Sequence, residues 1–397
     1  MRRERTPWLR RFFTGLALAA GLASSGCVPG VCWLPDSSGI IYTGGKKYER
    51  LLHYDLAEGK PKVLVADTGA PTLWPAVSSD GRKIAVAKVG IDGKDRATVQ
   101  VILYGRDGKE LKRSKVFPWV ETNKGPGELA QAKGDRPLAP QLFWAPRGER
   151  IVVHLQGYSG IYDVKEDRFL DLKDGLVLTF GGTPFRPDGA GFVVMRNVRG
   201  WLKDREKPGD HKPRFALVDF DGQEQAIKPP PLLLDNAVLE KEKDINKLIG
   251  LLCPVLYQSG WKGDVAQVSW NVDRLRYYTK KGEAVIDQIK PQTTADGLVV
   301  QYQHRFASGA RARVVSLFDP NKQGGADTKV RVELLKPGQD KAVEILPQAE
   351  ACVPVPSPNG KLLALRCLIK TNNPRQHQES ILIVNDKGEL KKLDVPR

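Results

Sequence analysis

The chain has 397 residues, 41% of them hydrophobic, and a formal net charge of +16. That length and apolar content can fill one large core, which excludes a disordered or fibrous chain. Five cysteines and five histidines, none paired at zinc-ligand spacing, exclude a disulfide-dense scaffold and a zinc module.

The amino terminus reads MRRERTPWLRRFFTGLALAAGLASSGC. Five arginines precede about a dozen mostly apolar residues, and small residues then lead to Cys27, which is the layout of a secretory signal over 1–26. The apolar run is too short to span a bilayer, and no later stretch reaches the roughly 18 apolar residues that a spanning helix needs. Ser24-Ser25-Gly26-Cys27 also resembles a bacterial lipoprotein cleavage box, which makes Cys27 the candidate lipidation site. The alternative is a conventional cleavage site beside an unmodified Cys27. Residues 1–26 hold five Arg and one Glu, so 57 basic and 45 acidic residues remain and the mature chain keeps +12. Such an excess favours anionic surfaces.

Six stretches then repeat one pattern of apolar lead-in, tight turn and alternating apolar strand. They are CWLPDSSGIIYT from Cys32, WPAVSSDGRKIAVA from Trp74, FWAPRGERIVVHL from Phe143, PFRPDGAGFVVM from Pro184, TTADGLVVQYQ from Thr293 and VPSPNGKLLALR from Val355. Asp, Asn and Gly tolerate the positive φ of a hairpin turn, and Pro presets its first corner. The residues that follow alternate, as in Lys83-Ile84-Ala85-Val86-Ala87, which is the period-two mark of a half-buried strand. Each copy is followed by a second apolar run that ends in an acidic residue and a glycine turn, such as LLHYDLAEG from Leu51 or FALVDFDG from Phe215. Strand, turn, strand, turn at a period of several tens of residues predicts an all-β chain. The expectation is a single β-propeller over 27–397, built of four-stranded antiparallel blades closed by pairing the first and last segments.

The interval from Asp188 to Asp296 exceeds one blade. CPVLYQS, AQVSW, RLRYYTK and EAVIDQI, from Cys253 to Ile289, can supply four strands of a degenerate extra one. The count is then seven blades, with six the alternative, and a β-sandwich or two smaller β domains the competing folds. Two segments break the β pattern. RNVRGWLKDREKPGDHKPR, from Arg196, mixes charges like a solvated loop around Trp201, which either packs on its own blade or anchors a partner. DNAVLEKEKDINKLIGLLC has a helix cap at Asp235, apolar residues at helical spacing and a stop at Pro254, so an inserted helix is expected over about 235–252. It either packs on the propeller or binds a partner.

Beyond Cys27, four cysteines remain. Cys352 and Cys367 flank the predicted hairpin at Pro358-Asn359-Gly360, so a cross-strand disulfide is geometrically conceivable, with buried free thiols as the alternative.

Pro35-Asp36, Ser79-Asp80-Gly81, Pro146-Arg147-Gly148, Pro187-Asp188-Gly189 and Pro358-Asn359-Gly360 resemble the turn that TolB-like propellers, a branch of the WD-repeat-like superfamily, carry before a blade strand. Arg147 stands where that turn has Asp, and the Asp296 copy lacks Pro. The resemblance covers most of the chain beyond Cys32. It implies a propeller whose functions range over binding modules, enzyme gates and complete enzymes.

Local catalytic motifs do not narrow that range. Gly157-Tyr158-Ser159-Gly160 has the wrong spacing for a nucleophile elbow and no following helix. Gly39 to Lys47 approaches a phosphate loop but falls in a predicted hairpin. Asp219-Phe220-Asp221-Gly222 resembles a calcium-loop fragment that a hairpin turn explains fully. No catalytic, cofactor or metal residue is nominated. The expected function is a non-catalytic, exported scaffold, periplasmic or tied to the outer membrane by lipidated Cys27. It is read as a monomer that binds an envelope protein or anionic polymer and no nucleic acid. A propeller enzyme acting on glycans, with acids gathered in a funnel, is the alternative.

Overall fold

The computed structural model describes residues 30–69, 72, 74–92, 97–120, 140–155, 158–177, 184–186, 188–196, 214–227, 260–262, 265–270, 274–279, 284–287, 294–296, 298, 300–316, 330–370 and 377–396. They form seven antiparallel sheets in chain order, each a meander of sequential strands, with no helix among them.

The first sheet shows how the repeat makes strands. β1 (Val31–Trp33) turns through Leu34–Ser38 into β2 (Gly39–Gly44), and Leu34 N–H donates to Gly39 O at 2.9 Å. Ser37 adopts φ 61°, and Asp36 Oδ1 accepts from the N–H and hydroxyl of Ser38, which satisfies the turn's donors. β3 (Arg50–Asp55) and β4 (Pro61–Val65) complete the sheet.

The second sheet holds β5 (Ala76–Val77), β6 (Lys83–Ile91), β7 (Ala97–Gly105) and β8 (Glu110–Arg113), with β9 (Phe117–Val120) pairing along the start of β7. The third holds β10 (Gln141–Trp144), β11 (Arg150–Leu155), β12 (Tyr158–Asp163) and β13 (Arg168–Asp174). The fourth holds β14 (Leu176–Val177), β15 (Phe192–Arg196), β16 (Arg214–Val218) and β17 (Glu224–Ile227). The fifth holds β18 (Gly260–Lys262), β19 (Val265–Trp270), β20 (Arg274–Thr279) and β21 (Ala284–Asp287). The sixth holds β22 (Val300–Arg305), β23 (Arg311–Ser316), β24 (Val330–Leu335) and β25 (Val343–Ala349). The seventh holds β26 (Ala351–Pro356), β27 (Leu362–Lys370), β28 (His377–Asn385) and β29 (Leu390–Asp394).

In the first, second, third and seventh sheets alternation puts buried apolar side chains on both faces, and neighbouring sheets bury them against each other. Ile41 and Leu51 of the first sheet meet Val77, Ile84, Val86 and Ile102 of the second. Ala85, Val99 and Trp119 of the second meet Ile151, Val153 and Tyr162 of the third, and the third packs on Phe192, Val194 and Val218 of the fourth. Tyr302, Val314 and Val332 of the sixth meet Leu363, Leu365 and Leu382 of the seventh. The seventh then packs on the first, with Ala364, Ile381 and Ile383 against Trp33, Ile40, Tyr42 and Tyr54. First strands neighbour first strands, β26 beside β1, β1 beside β5 and β5 beside β10. This all-β, propeller-like order follows from sheets whose apolar faces are covered by the neighbouring sheets.

The expected closure by strand pairing is corrected. Among the described residues β1 pairs with β2 and β29 with β28, so no sheet mixes the two ends of the chain. Side chains join them instead. Trp33 Nε1 donates to Val355 O at 2.8 Å, and Asn359 N–H donates to the Ser37 hydroxyl at 3.2 Å. Fully buried Arg366 donates to Gly30 O at 3.3 Å and Thr43 O at 2.9 Å while pairing with Glu379 at 2.7 Å.

One repeat assignment also shifts. The Asp296 turn leads into β22, the first strand of the sixth sheet, whereas that sheet's own first hairpin turns on Phe306–Ala310. There Gly309 takes φ 87° and the Ser308 hydroxyl accepts from Ala310 N–H, the part that Asp plays elsewhere. Among the described residues the fifth sheet begins at Gly260–Lys262, and AQVSW, RLRYYTK and EAVIDQI contain its other strands, while CPVLYQS lies outside the described residues. The signal, Cys27, Trp201, Cys253 and the helix expected over 235–252 lie outside the described residues.

Candidate functional site

A meander gives each sheet two unlike ends. The connection from first to second strand, and from third to fourth, falls at one end; the connection from second to third, and from sheet to sheet, falls at the other. At the first end sit the compact Asp/Gly turns, such as 34–38, 78–82, 106–109 and 219–223. The strands that border 121–140, 197–213, 228–259 and 317–329 end and resume at the second end. Strands maintain the sheets while connections vary freely, so a repeat protein concentrates recognition at the end where its insertions gather.

Trp74 stands at that second end, just ahead of β5. Its carbonyl accepts from Leu142 N–H at 3.0 Å, it bridges to Gln141, and its ring lies 6.1 Å from that of Phe143. Its Nε1 lies 3.4 Å from Val31 O, and its ring packs on Val353. One indole thus touches residues of the first strands of the first, third and seventh sheets from its place on the second. A Cβ at Gly30 would lie 1.8 Å from that ring, so only glycine fits there.

Three polar clusters interrupt the apolar faces. Arg366 and Glu379 join the seventh sheet to the first; Tyr48, itself at φ 59°, donates its hydroxyl to Glu379 Oε1 at 2.5 Å. Between the third and fourth sheets, His154 Nδ1 lies 3.3 Å from Gln141 Oε1, and Arg196 bonds Leu172 O and Glu224. Ser159 is fully buried on β12. On the sixth sheet, Arg331 Nη2 lies 2.9 Å from Asp296 and 3.4 Å from Glu333, with Arg313 3.8 Å from Glu333.

The arginines of these clusters form charge pairs with Glu379, Glu224, Asp296 and Glu333. The Thr294 hydroxyl, aided by Arg331, holds the Asp296 carboxyl below its ordinary value, so it stays ionised and cannot serve as a general acid near neutrality. Asp171 goes the other way, because burial pushes its carboxyl up; its charged neighbours are the cations Lys173 and Arg196. No group of three His, Cys, Asp or Glu side chains could hold a metal among the described residues. The three motif fragments have structural explanations. Ser159 lies within a strand, Gly39–Gly44 is β2, and Gly222 closes a turn at φ 81° with Asp219 Oδ1 accepting from the N–H of Asp221 and Gln223.

Of the nominated residues, Cys352 and Cys367 are direct cross-strand partners on β26 and β27, 4.2 Å apart at Cα, and are joined as a disulfide. Cys32 is free, its thiol pushed up to about 11 by burial. Sequence reasoning missed Arg366, Arg196 and Trp74, because an arginine in an alternating strand reads as its solvent face until the neighbouring sheet is known.

Searches found no matching family model and no matching curated protein. Among solved structures, the chain is similar to dipeptidyl peptidase 4 of Porphyromonas gingivalis, at 12% identity and TM-score 0.45, over 96% of this chain and 61% of that one. It therefore spans about three fifths of that peptidase's length. A chain of a mitotic checkpoint complex matches at 10% identity and TM-score 0.44, over 93% of this chain and 87% of that one. TolB from Acinetobacter baumannii matches at 14% identity and TM-score 0.36, over 97% and 72%. At such identities and scores none of their activities passes to this chain.

Proposed function

We propose that this protein is an exported, non-catalytic binding scaffold of the cell envelope, its seven sheets closed into a seven-bladed propeller over 27–397. In this reading residues 1–26 are removed, acylated Cys27 anchors the monomer to a membrane, and its place is the periplasm or the outer membrane. The partner is an envelope protein or anionic envelope polymer, held where the long connections gather. The observation that carries the binding role is the asymmetry of the two ends, with compact turns at one and, at the other, the strand ends that border 121–140, 197–213, 228–259 and 317–329. Two of the described acids add support, since Asp296 and Glu379 are committed to arginines. The mature charge of +12 favours anionic partners.

Crosslinking in intact cells followed by capture tests it, run beside glycan and peptide hydrolysis assays. A partner captured without turnover is the expected outcome. Turnover that disappears when a funnel acid is replaced would overturn it in favour of a propeller enzyme acting on glycans.

A further inference from the structure

We infer that the end of the sheets carrying the long connections is the one held against the lipid bilayer, because the anchor leaves the protein there. The inference rests on the acylated Cys27 of the proposed function and adds which face it presents; a partner held at that end is then one met at the membrane surface.

Three observations fix the exit point. β1 is the first strand of its sheet, beside β26 and β5, and its turn to β2 lies at the compact end, so Gly30 stands at the long-connection end. Gly30 is buried and held: its carbonyl accepts from Arg366 Nη1 at 3.3 Å, and its Cα abuts the Trp74 ring so closely that no Cβ fits. The following residue is held as well, Val31 O lying 3.4 Å from Trp74 Nε1. Only Val28 and Pro29 separate Cys27 from Gly30. Three residues span at most about 11 Å even when fully extended. An acyl group on Cys27 therefore keeps Gly30 within roughly that distance of the lipid headgroups. Strands of six to nine residues rise about 20–30 Å, so the Asp/Gly turns face away. A long flexible tether would let the body tumble; this one does not.

The test places a fluorophore on the acylated full chain at Lys47→Cys, beside the end of β2, or at Lys361→Cys, in the compact turn before β27. Both side chains are exposed. Cys253→Ser serves as background, and Cys32 stays protonated during labelling near neutral pH because burial pushes its thiol up to about 11. The labelled protein is reconstituted into phosphatidylethanolamine–phosphatidylglycerol vesicles containing a nitroxide-headgroup lipid. Quenching at position 47 at least twofold greater than at position 361 is expected. Equal or reversed quenching on protein whose Cys27 is acylated by mass spectrometry overturns the orientation and leaves the anchor intact. An unmodified Cys27 in the mature protein overturns both. A chain of residues 28–397, without the signal or Cys27, that binds the vesicles with the same quenching contrast also overturns the inference, by assigning the contact to the face itself.

Discussion

Arg366 is fully buried on β27 and divides its guanidinium among Glu379, Gly30 O and Thr43 O. Removing one member of a buried pair leaves the other charged and unpartnered, which costs about 3–5 kcal/mol. Arg366→Met should lower the unfolding free energy by that order in urea titrations, and Glu379→Gln by less, because its amide still offers an oxygen to the guanidinium. An unchanged midpoint for both would mean that the pair does not join the two sheets. Two histidines face neighbouring sheets. Burial, then the Arg106 charge, lowers His53; burial lowers His304, against the bond from its Nε2 to Gly360 O at 3.1 Å. Their folded values lie below the unfolded value near 6.5. The unfolded chain therefore binds more protons there, and their contribution is present above pH 6.5 and lost as pH falls through the folded values. Each contributes a slope of at most about 1.4 kcal/mol per pH unit. Urea midpoints should fall between pH 7.5 and 5.5, and the His53→Gln, His304→Gln double variant should flatten that slope.

At the scale of the element, the turn chemistry was legible in sequence because it is local. Asp80 shows why: its Oδ1 accepts from Arg82 N–H and the Ser78 hydroxyl, and these bonds hold its carboxyl below the ordinary range. Asp80→Ala should cost about 1 kcal/mol, seen as a small shift of the urea midpoint. The Asp296 turn shows the limit of local reading. It has the same composition but stands between sheets, while Phe306–Ala310 makes the hairpin without Asp or Pro. A tight turn satisfies its own donors wherever the chain reverses, so its residues do not say which two strands it joins. The cross-link between Cys352 and Cys367, 15 residues apart, restrains the unfolded chain. Replacing both by alanine should remove about 3 kcal/mol, visible as a lower midpoint that reductant no longer changes.

For the whole molecule, the seventh sheet is what covers the first. Ala364, Ile381 and Ile383 bury Trp33, Ile40, Tyr42 and Tyr54, and each large side chain so covered contributes about 1.5–3 kcal/mol. A chain ending at residue 356 should lose cooperative unfolding altogether, with urea and far-ultraviolet circular dichroism as readouts; a sharp transition near the full-length midpoint would show that the sheets stand without closure. By itself the sequence determined the all-β class, the period, the hairpin turns and the signal-like amino terminus. Each follows from residues within a few positions of one another, through backbone preference and alternation. Only the tertiary structure decided how the two ends of the chain meet, through Arg366 and Trp33 where strand pairing was expected. It alone placed Trp74 against the first strands of three neighbouring sheets, and it alone sorted the connections onto two opposite ends. Those outcomes depend on which faces meet across more than 300 residues of chain, as from Trp33 to Val355, and no local pattern encodes a neighbour that distant.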